Sequence, residues 1–316
     1  MHISDGVLSG SVSLACGAMA TLGCGWCVRR FRATATAADT PRLGLVAAFI
    51  FAAQMVNFPL GFAPVSGHLM GGTLAACLLG PWGGGLALAA VLLVQALLMG
   101  DGALTALGAN WLNMGLIGAV GSAFALEFFV RTIGRKLGVI TAAMLAAWVS
   151  VTISAAAFSL ELAFSSGFTN FWQVLVSMIL VHSAIALGEA LITGLVLRGV
   201  LWSNPELVPL ESSNASLSPA FFGGAMVVTI AVVVFLAPVA SSFPDGLEFV
   251  GGKLGFISDA PSTYAPPLPD YSTPGLPEGR WSTVVAGLVG TTVVFIAGFC
   301  FSRLTGPDSR KISGTV

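Results

Sequence analysis

Apolar runs of about 20 residues recur along the whole chain, and this feature restricts the fold most strongly. A helix built from such a run is long enough to cross a hydrocarbon core of about 30 Å. Charged residues make up only 9% of the chain and hydrophobic residues 56%, a balance that a water-soluble globular protein does not need. The sequence therefore predicts an all-α polytopic membrane protein.

The apolar runs predict nine membrane-spanning helices. Their expected ranges are 9–28, 43–60, 68–80, 84–100, 105–130, 137–164, 171–198, 218–240 and 282–302. The third and fourth spans are short and share the sequence Gly80-Pro81-Trp82-Gly83-Gly84-Gly85, in which Gly and Pro favour a turn. We expect these two spans to pack as a tight hairpin.

The distribution of Lys and Arg predicts the orientation, because cytoplasmic loops carry an excess of both residues. With nine spans and the N-terminus outside, all 13 Lys and Arg residues except Lys253 and Arg280 fall on the inner side. We therefore expect a multi-pass protein of the cell (inner, cytoplasmic) membrane, surrounded by lipid, with a cytoplasmic C-terminus.

A polar, Ser-rich segment at residues 199–217 divides the chain into two parts, as a cytoplasmic linker would. The first part, residues 1–198, contains seven of the predicted spans. The second part, residues 218–316, contains two spans that flank an outer loop, residues 241–281, rich in Pro, Gly and Asp. Two domains are therefore predicted.

The sequence also argues against several classes of partner and activity. The net charge is −1 and no basic cluster suited to phosphates is present, so nucleic acid is not an expected partner. The sequence contains no G-x-x-x-x-G-K-[ST] motif for binding ATP in a P-loop. If ATP drives this protein, another subunit must supply the ATPase.

Met1, His2 and His68 are the candidate metal ligands. A chain that begins Met-His offers the terminal amine, the His2 amide and the His2 imidazole to one ion, and His68 lies in a Gly-rich turn that makes it the natural fourth donor. Four nitrogens in a plane suit Ni(II), Cu(II) or low-spin Co(II) better than Zn(II). The large His2 side chain disfavours removal of Met1, and no signal-peptide pattern is present, so we expect a free amine. The alternative is that Met1 is only the initiator and His2 has no role.

Further polar residues are expected near these ligands, on the outer side. Asp101, Asn110 and Asn113 begin a predicted span, where they could cap the helix or hydrogen bond to the imidazoles. Asn57 ends the second span in a similar place, and Ser66 lies in the turn that carries His68. These residues are candidates to orient the ligands.

His182 and Glu189 lie seven residues apart on one face of a predicted membrane helix. No H-E-x-x-H pattern accompanies them, so a zinc protease has little support. Two interpretations remain: a buried polar pair that holds helices together, or partners that orient a metal ligand.

Small residues recur at four-residue spacing in the second span, at Gly44, Ala48 and Ala52. Such a face lets two membrane helices approach closely. It predicts either packing within the chain or an interface with a partner subunit.

Several segments together resemble the nickel and cobalt substrate-capture subunits of energy-coupling factor transporters, the NikM/CbiM family. The opening, residues 1–8, resembles the pattern M-H-I-x-D-G-x-L, with Ser4 where that family commonly has Pro. The other similar segments are Phe51–Pro59, Ser66–Leu69, Asp101–Asn113 and His182–Glu189. The tail resembles a fused NikN-type component, because Pro244–Glu248 reads P-D-G-L-E and Asp270-Tyr271 follows in the outer loop.

The resemblance implies a transporter subunit that is not an enzyme and has no permanent cofactor. It implies that Met1, His2 and His68 hold Ni(II) or Co(II) as the transported substrate, and the P-D-G-L-E tail favours nickel. It also implies a transmembrane coupling subunit and two ATP-binding subunits as partners, with Gly44, Ala48 and Ala52 turned toward the coupling subunit. The NikN-type tail is expected to assist loading or gating of the metal site.

Two other classes of function remain as alternatives. An ion-gradient-driven secondary carrier of divalent metal would show paired discontinuous helices and charged residues at mid-membrane, and only His182 and Glu189 approach that description. An intramembrane metal enzyme would need an open coordination position and a general base, which a plane of four nitrogens does not offer.

Overall fold

The computed structural model describes residues 2–36, 38–133, 138–204, 218–257 and 264–305. Over these ranges the chain is almost entirely helical, and the strands are one short antiparallel pair. The prediction of an all-α polytopic membrane protein is therefore confirmed.

The described helices follow the predicted spans closely. They are α1 Gly10–Thr34, α2 Asp39–Gln54, α3 Gly72–Val94, α4 Leu107–Trp111, α5 Ser122–Ile133, α6 Gly138–Ser166, α7 Phe171–Ser203, α8 Pro219–Ala231, α9 Gly246–Leu254 and α10 Arg280–Thr305. π-helical turns extend α3 through Gln95–Met99, join α4 to α5 through Leu112–Gly121, and extend α8 through Val232–Leu236. The strand pair, β1 Phe58–Pro59 and β2 Ser66–Gly67, connects α2 to α3.

Seven helical segments of the described chain are long and apolar enough to cross a membrane. They are Gly10–Thr34, Gly72–Met99, Leu107–Ile133, Gly138–Ser166, Phe171–Ser203, Pro219–Val239 and Arg280–Leu304. Helix α2 is shorter, at 16 residues, and most of its side chains are buried by neighbouring helices. Its apolar composition therefore serves contacts within the chain.

The predicted hairpin is present within α3. Gly80 has φ 71° and ψ 173°, which breaks the helix, and a Cβ built on Gly84 would lie 2.9 Å from the Ala76 nitrogen. In a straight helix, residues eight apart are about 12 Å apart, so the chain must reverse. The first arm, residues 72–79, is only about 12 Å long, so the predicted span 68–80 is too short to cross the membrane by itself.

The face formed by Gly44, Ala48 and Ala52 lies inside the chain. A Cβ on Gly44 would lie 2.9 Å from the Phe295 carbonyl oxygen of α10, and Ala48 and Ala52 are completely buried. Of the two interpretations of this face, the structure therefore shows packing within the chain. The expectation of an exposed partner surface at these three residues is wrong, because α10 packs along α2.

The second part of the chain packs against the first part. Helix α10 lies along α2, and Gly246 at the start of α9 lies against Ile185 of α7. Helix α7 continues to Ser203, past the predicted start of the linker at residue 199, and residues 205–217 lie outside the described ranges. The predicted outer loop contains α9 and a short 3₁₀ turn, Pro269–Tyr271.

Candidate metal-binding site

His2 and His68 lie together although 65 residues separate them in the sequence. Their rings stack with centroids 5.2 Å apart and planes inclined by 17°. Met1, the third predicted ligand, lies outside the described residues. The structure thus brings together the two imidazoles that the sequence singled out.

The N-terminal segment is held in the protein by hydrogen bonds to the loop before α4 and to α4 itself. The Ile3 amide donates to Asn110 Oδ1 at 2.8 Å, and the Ala103 amide donates to the Ile3 carbonyl at 2.9 Å. The Ile3 side chain is completely buried. Asn110, a predicted second-shell residue, therefore anchors the backbone beside His2 and does not contact the ring.

Gly102 allows this close approach of the loop. Its φ is +82°, and a Cβ there would lie 2.8 Å from Asn110 Nδ2 and 3.4 Å from His2 Cβ. An L-residue would therefore be strained and would push the N-terminal segment away.

Both nitrogens of the His2 ring face oxygen atoms. Nδ1 lies 3.0 Å from Asp101 Oδ1, and Nε2 lies 3.2 Å from Gln95 Oε1. Burial lowers the pKa of the His2 imidazole to about 4, although the Asp101 carboxylate acts in the opposite direction. The ring is therefore neutral at pH 7, as a metal ligand must be.

A π-helical turn places Gln95 and Asp101 on either side of the His2 ring. The Asp101 amide donates to the Gln95 carbonyl at 3.2 Å, and Gly100 between them has φ +70°. Single π turns of this kind are frequent at functional sites. Asp101 was predicted near the site, whereas Gln95 was not.

His68 follows β2, and the C-terminal part of the chain faces it. His68 Nδ1 lies 3.0 Å from the Leu69 carbonyl, which can only accept a hydrogen bond, so Nδ1 carries the proton and Nε2 the lone pair. Nε2 lies 3.8 Å from Asp245 Oδ2. Ser66, the predicted neighbour, donates from its hydroxyl to the Phe243 carbonyl at 2.7 Å.

Asp245 also begins α9. Its carboxylate accepts the Glu248 amide at 2.8 Å, and the Glu248 side chain accepts the Asp245 amide at 2.9 Å, forming a capping box. The P-D-G-L-E sequence therefore has a local structural role and also places a carboxylate beside His68.

Glu189 supports the loop that follows His68. Its two carboxylate oxygens accept the amides of Met70 and Gly71, the latter at 2.9 Å, and the side chain is completely buried. Of the two interpretations offered for Glu189, the structure supports the one in which it positions the loop of a candidate ligand. Glu189 does not pair with His182.

We expect Glu189→Gln to destabilise the protein by about 1–3 kcal/mol, because an amide NH₂ would face a backbone N–H and leave that donor unsatisfied. Thermal unfolding of the purified protein in detergent measures this effect. Glu127→Gln is the matched control, because Glu127 is exposed and pairs only with Arg131 on α5. Equal melting temperatures for the two variants would contradict the role of Glu189.

Three other predicted residues do not contact the imidazoles. Asn57 contacts the tail through its backbone carbonyl, which accepts the Ser241 amide at 2.8 Å. Asn113 Nδ2 donates to Glu161 on α6 at 2.9 Å. His182 Nδ1 contacts the Met178 carbonyl at 3.0 Å, and the ring lies against Gly246.

Side chains alone do not complete a metal site in the described part of the chain. No three His, Cys, Asp or Glu side chains there are grouped closely enough to hold an ion. The candidate site provides two imidazoles, so any further nitrogen donors would come from the backbone near the N-terminus.

Sequence reasoning missed Gln54 and Gln95, which are polar residues within apolar helices, and did not single out Asp245 or Tyr271 as neighbours of the site. Polar residues in such helices are rare, and this signal could have identified both glutamines. Nothing local in the sequence indicates which ligand Asp245 or Tyr271 would meet.

Two family models match the chain. The model described as the cobalt uptake substrate-specific transmembrane region, CbiM, matches residues 2–207. The PDGLE domain matches residues 219–306.

Known proteins resemble the whole chain or its first part. A putative fused nickel transport protein NikMN of Archaeoglobus fulgidus is 33% identical over 304 residues, which cover 96% of this chain and 98% of that protein. A putative metal transport protein of Haloquadratum walsbyi is 36% identical over 220 residues, covering 69% of this chain and 98% of that protein. The crystal structure of a truncated transition metal transporter superposes with a TM-score of 0.56 at 29% identity, covering 64% of this chain and 99% of that one.

Proposed function

The chain belongs to the CbiM family of cobalt uptake substrate-specific transmembrane regions and carries a PDGLE domain, and on this premise we propose that it captures nickel for an ATP-driven importer. Its relatives are nickel and cobalt transport proteins. The ion is the transported substrate and is not a resident cofactor. The observation that carries the proposal is the pairing of His2 with His68 beside the anchored N-terminus.

The proposed ligands are the Met1 amine, the His2 amide, His2 Nδ1 and His68 Nε2. Nδ1 is the His2 nitrogen that can share an ion with the His2 amide, because it closes a six-membered chelate ring. Nε2 is the donor of His68, because its Nδ1 proton is held by the Leu69 carbonyl. Asp101 lies beside His2 Nδ1, where a carboxylate favours a cation.

Nickel is favoured over zinc by the chemistry of this ligand set. Coordination by an amide nitrogen requires loss of the amide proton, and a planar arrangement of four nitrogens suits Ni(II). The same ligands also accept low-spin Co(II). The similarity to fused nickel transport proteins supports nickel as the substrate.

The test of this function is equilibrium metal binding to the purified protein beginning at Met1, with Ni, Co, Cu and Zn compared by calorimetry and visible absorption. We expect one nickel ion per chain, with the absorption of a planar diamagnetic complex. A preference for cobalt would keep the mechanism and change the substrate. Absence of binding would reject the function.

Nickel binding at pH 7 should release about two protons. The amide gives one proton, the terminal ammonium, with an ordinary pKa near 8, gives most of another, and the already neutral His2 ring gives none. Calorimetry in buffers of different ionisation enthalpy measures this number. Zinc, which promotes amide deprotonation poorly, serves as the comparison, and nickel binding without proton release would exclude the amide ligand.

The proposed partners are a transmembrane coupling subunit and two ATP-binding subunits. The absence of a P-loop motif from the sequence is consistent with an ATPase on another chain. Since α10 covers Gly44, Ala48 and Ala52, the coupling subunit would contact other surfaces. We also propose that the protein lies in the cell membrane with the metal site facing outward, as the Lys and Arg distribution predicts.

The PDGLE domain would act on the metal site through direct contacts. Asp245 places a carboxylate 3.8 Å from the proposed donor of His68, and the Ser66 amide donates to the Pro244 carbonyl at 2.9 Å. These contacts would favour arrival of a cation and hold the turn that carries His68.

A further inference from the structure

The Gln95 side chain is held by two hydrogen bonds from its amide nitrogen. Nε2 donates to Gln54 Oε1 at 2.7 Å and to the Tyr271 hydroxyl at 3.0 Å. Gln95 is completely buried, and so is nearly all of Gln54. Both hydrogens of the Gln95 amide are therefore used, and its oxygen faces His2 Nε2 at 3.2 Å.

A backbone carbonyl sets the direction of these hydrogen bonds. The Met70 carbonyl can only accept, and Gln54 Nε2 donates to it at 2.8 Å. Gln54 must therefore turn its oxygen toward Gln95, and Gln95 must in turn present its oxygen to His2. Reversing either amide would place two oxygens against each other.

Tyr271 fixes the same orientation from the C-terminal part of the chain. Its hydroxyl donates to Asp101 Oδ2 and accepts from Gln95. The 3₁₀ turn that carries it is secured nearby, since the Leu268 amide donates to the Leu98 carbonyl at 2.8 Å. Tyr271 thus contacts both residues that flank the His2 ring.

We propose that Gln95 is the positioning residue that turns His2 Nδ1 toward the metal, and that Gln54 and Tyr271 redundantly hold its amide in the required orientation. This inference rests on the proposed function. In the loaded protein Nδ1 binds the ion, so Nε2 carries the proton and needs an acceptor. Ligating imidazoles usually donate their second N–H to such a partner, and loss of that partner typically weakens metal binding 10- to 100-fold.

Redundant anchoring predicts a specific pattern in a double-mutant cycle. Gln54→Met or Tyr271→Phe alone leaves one anchor, and we expect each to weaken nickel binding by no more than about threefold. The double variant frees the amide to rotate, and we expect binding weakened by about 10- to 100-fold. Independent effects that simply multiply would overturn the redundant arrangement.

The chain offers a matched control, because its other tyrosine lies in the same loop. The Tyr264 hydroxyl donates to the Leu97 carbonyl at 2.9 Å and so has the same kind of bond to the same π-helical turn. Tyr264→Phe combined with Gln54→Met should bind nickel like Gln54→Met alone. A loss equal to that of the Tyr271 pair would assign the effect to loop docking.

A spectroscopic readout separates positioning from general damage. Planar Ni(II) is diamagnetic, so the Nε2–H of His2 can be observed by NMR in ¹⁵N-histidine-labelled loaded protein. We expect slow solvent exchange of this proton in the wild type and fast exchange in the double variant. Slow exchange in both would overturn the proposal.

Gln95→Met tests the same point if the double variant does not fold, because it removes the acceptor while keeping the side chain's length. It should bind nickel as weakly as the double variant is expected to. Wild-type affinity in Gln95→Met would reject the role of Gln95 alone, whereas a wild-type protein that binds no nickel would reject the proposed function itself.

Discussion

One extra residue in front of Met1 is expected to reduce nickel uptake to the level of cells that lack this chain. The amine would be displaced from the position set by the Ile3 anchor, and the added residue would have to enter a buried site. The chain would then offer an amine, two amides and an imidazole, which is a four-nitrogen set without His68. Uptake of radioactive nickel, in cells that also express the partner subunits, measures the effect.

This prediction has an internal control. Placing a protease site so that cleavage regenerates the Met1 start should restore nickel binding of the normal kind in the purified protein. Any nickel that the extended protein still binds should be insensitive to His68→Ala. Normal uptake by the extended protein would rule out the terminal amine as a ligand.

His68→Ala in the protein with its native start should weaken nickel binding by more than about a hundredfold. Loss of an outer hydrogen-bond partner already weakens metal sites 10- to 100-fold, and His68 is proposed to supply one of the four donors. The measurement is calorimetry, with visible absorption to follow the loss of the planar complex.

His182→Gln is the matched control for His68→Ala. His182 is also a buried histidine, but its described contact is with its own helix at Met178. Nickel affinity should stay within about threefold of the wild type. If His68→Ala bound nickel normally, the fourth donor would have to be assigned to another residue.

The predictable parts of this fold are those that depend on local chemistry. Spans follow from apolar length, and the reversal in α3 follows from Gly80, whose positive φ ends the first arm, with Pro81 next to it. The pairing of His2 with His68 was predictable because few residues in the chain can bind a transition metal.

The remaining features depend on contacts between distant parts of the chain. The spacing of Gly44, Ala48 and Ala52 predicts close approach of a helix but does not identify that helix as α10. Gln95 meets His2 only because α3 reverses and the N-terminal segment folds back onto the loop before α4. Such contacts depend on the whole topology, and no local pattern contains them.

Covalent fusion changes what the contacts of the C-terminal part must achieve. Ser66 and Gln95 in the first part hydrogen bond with Phe243 and Tyr271 in the second. Because one polypeptide joins the partners, they meet at an effective concentration on the order of millimolar, and individually weak hydrogen bonds suffice to keep the tail docked. Cutting the chain between α7 and α8 would leave every proposed ligand in place and make metal capture depend on dilution.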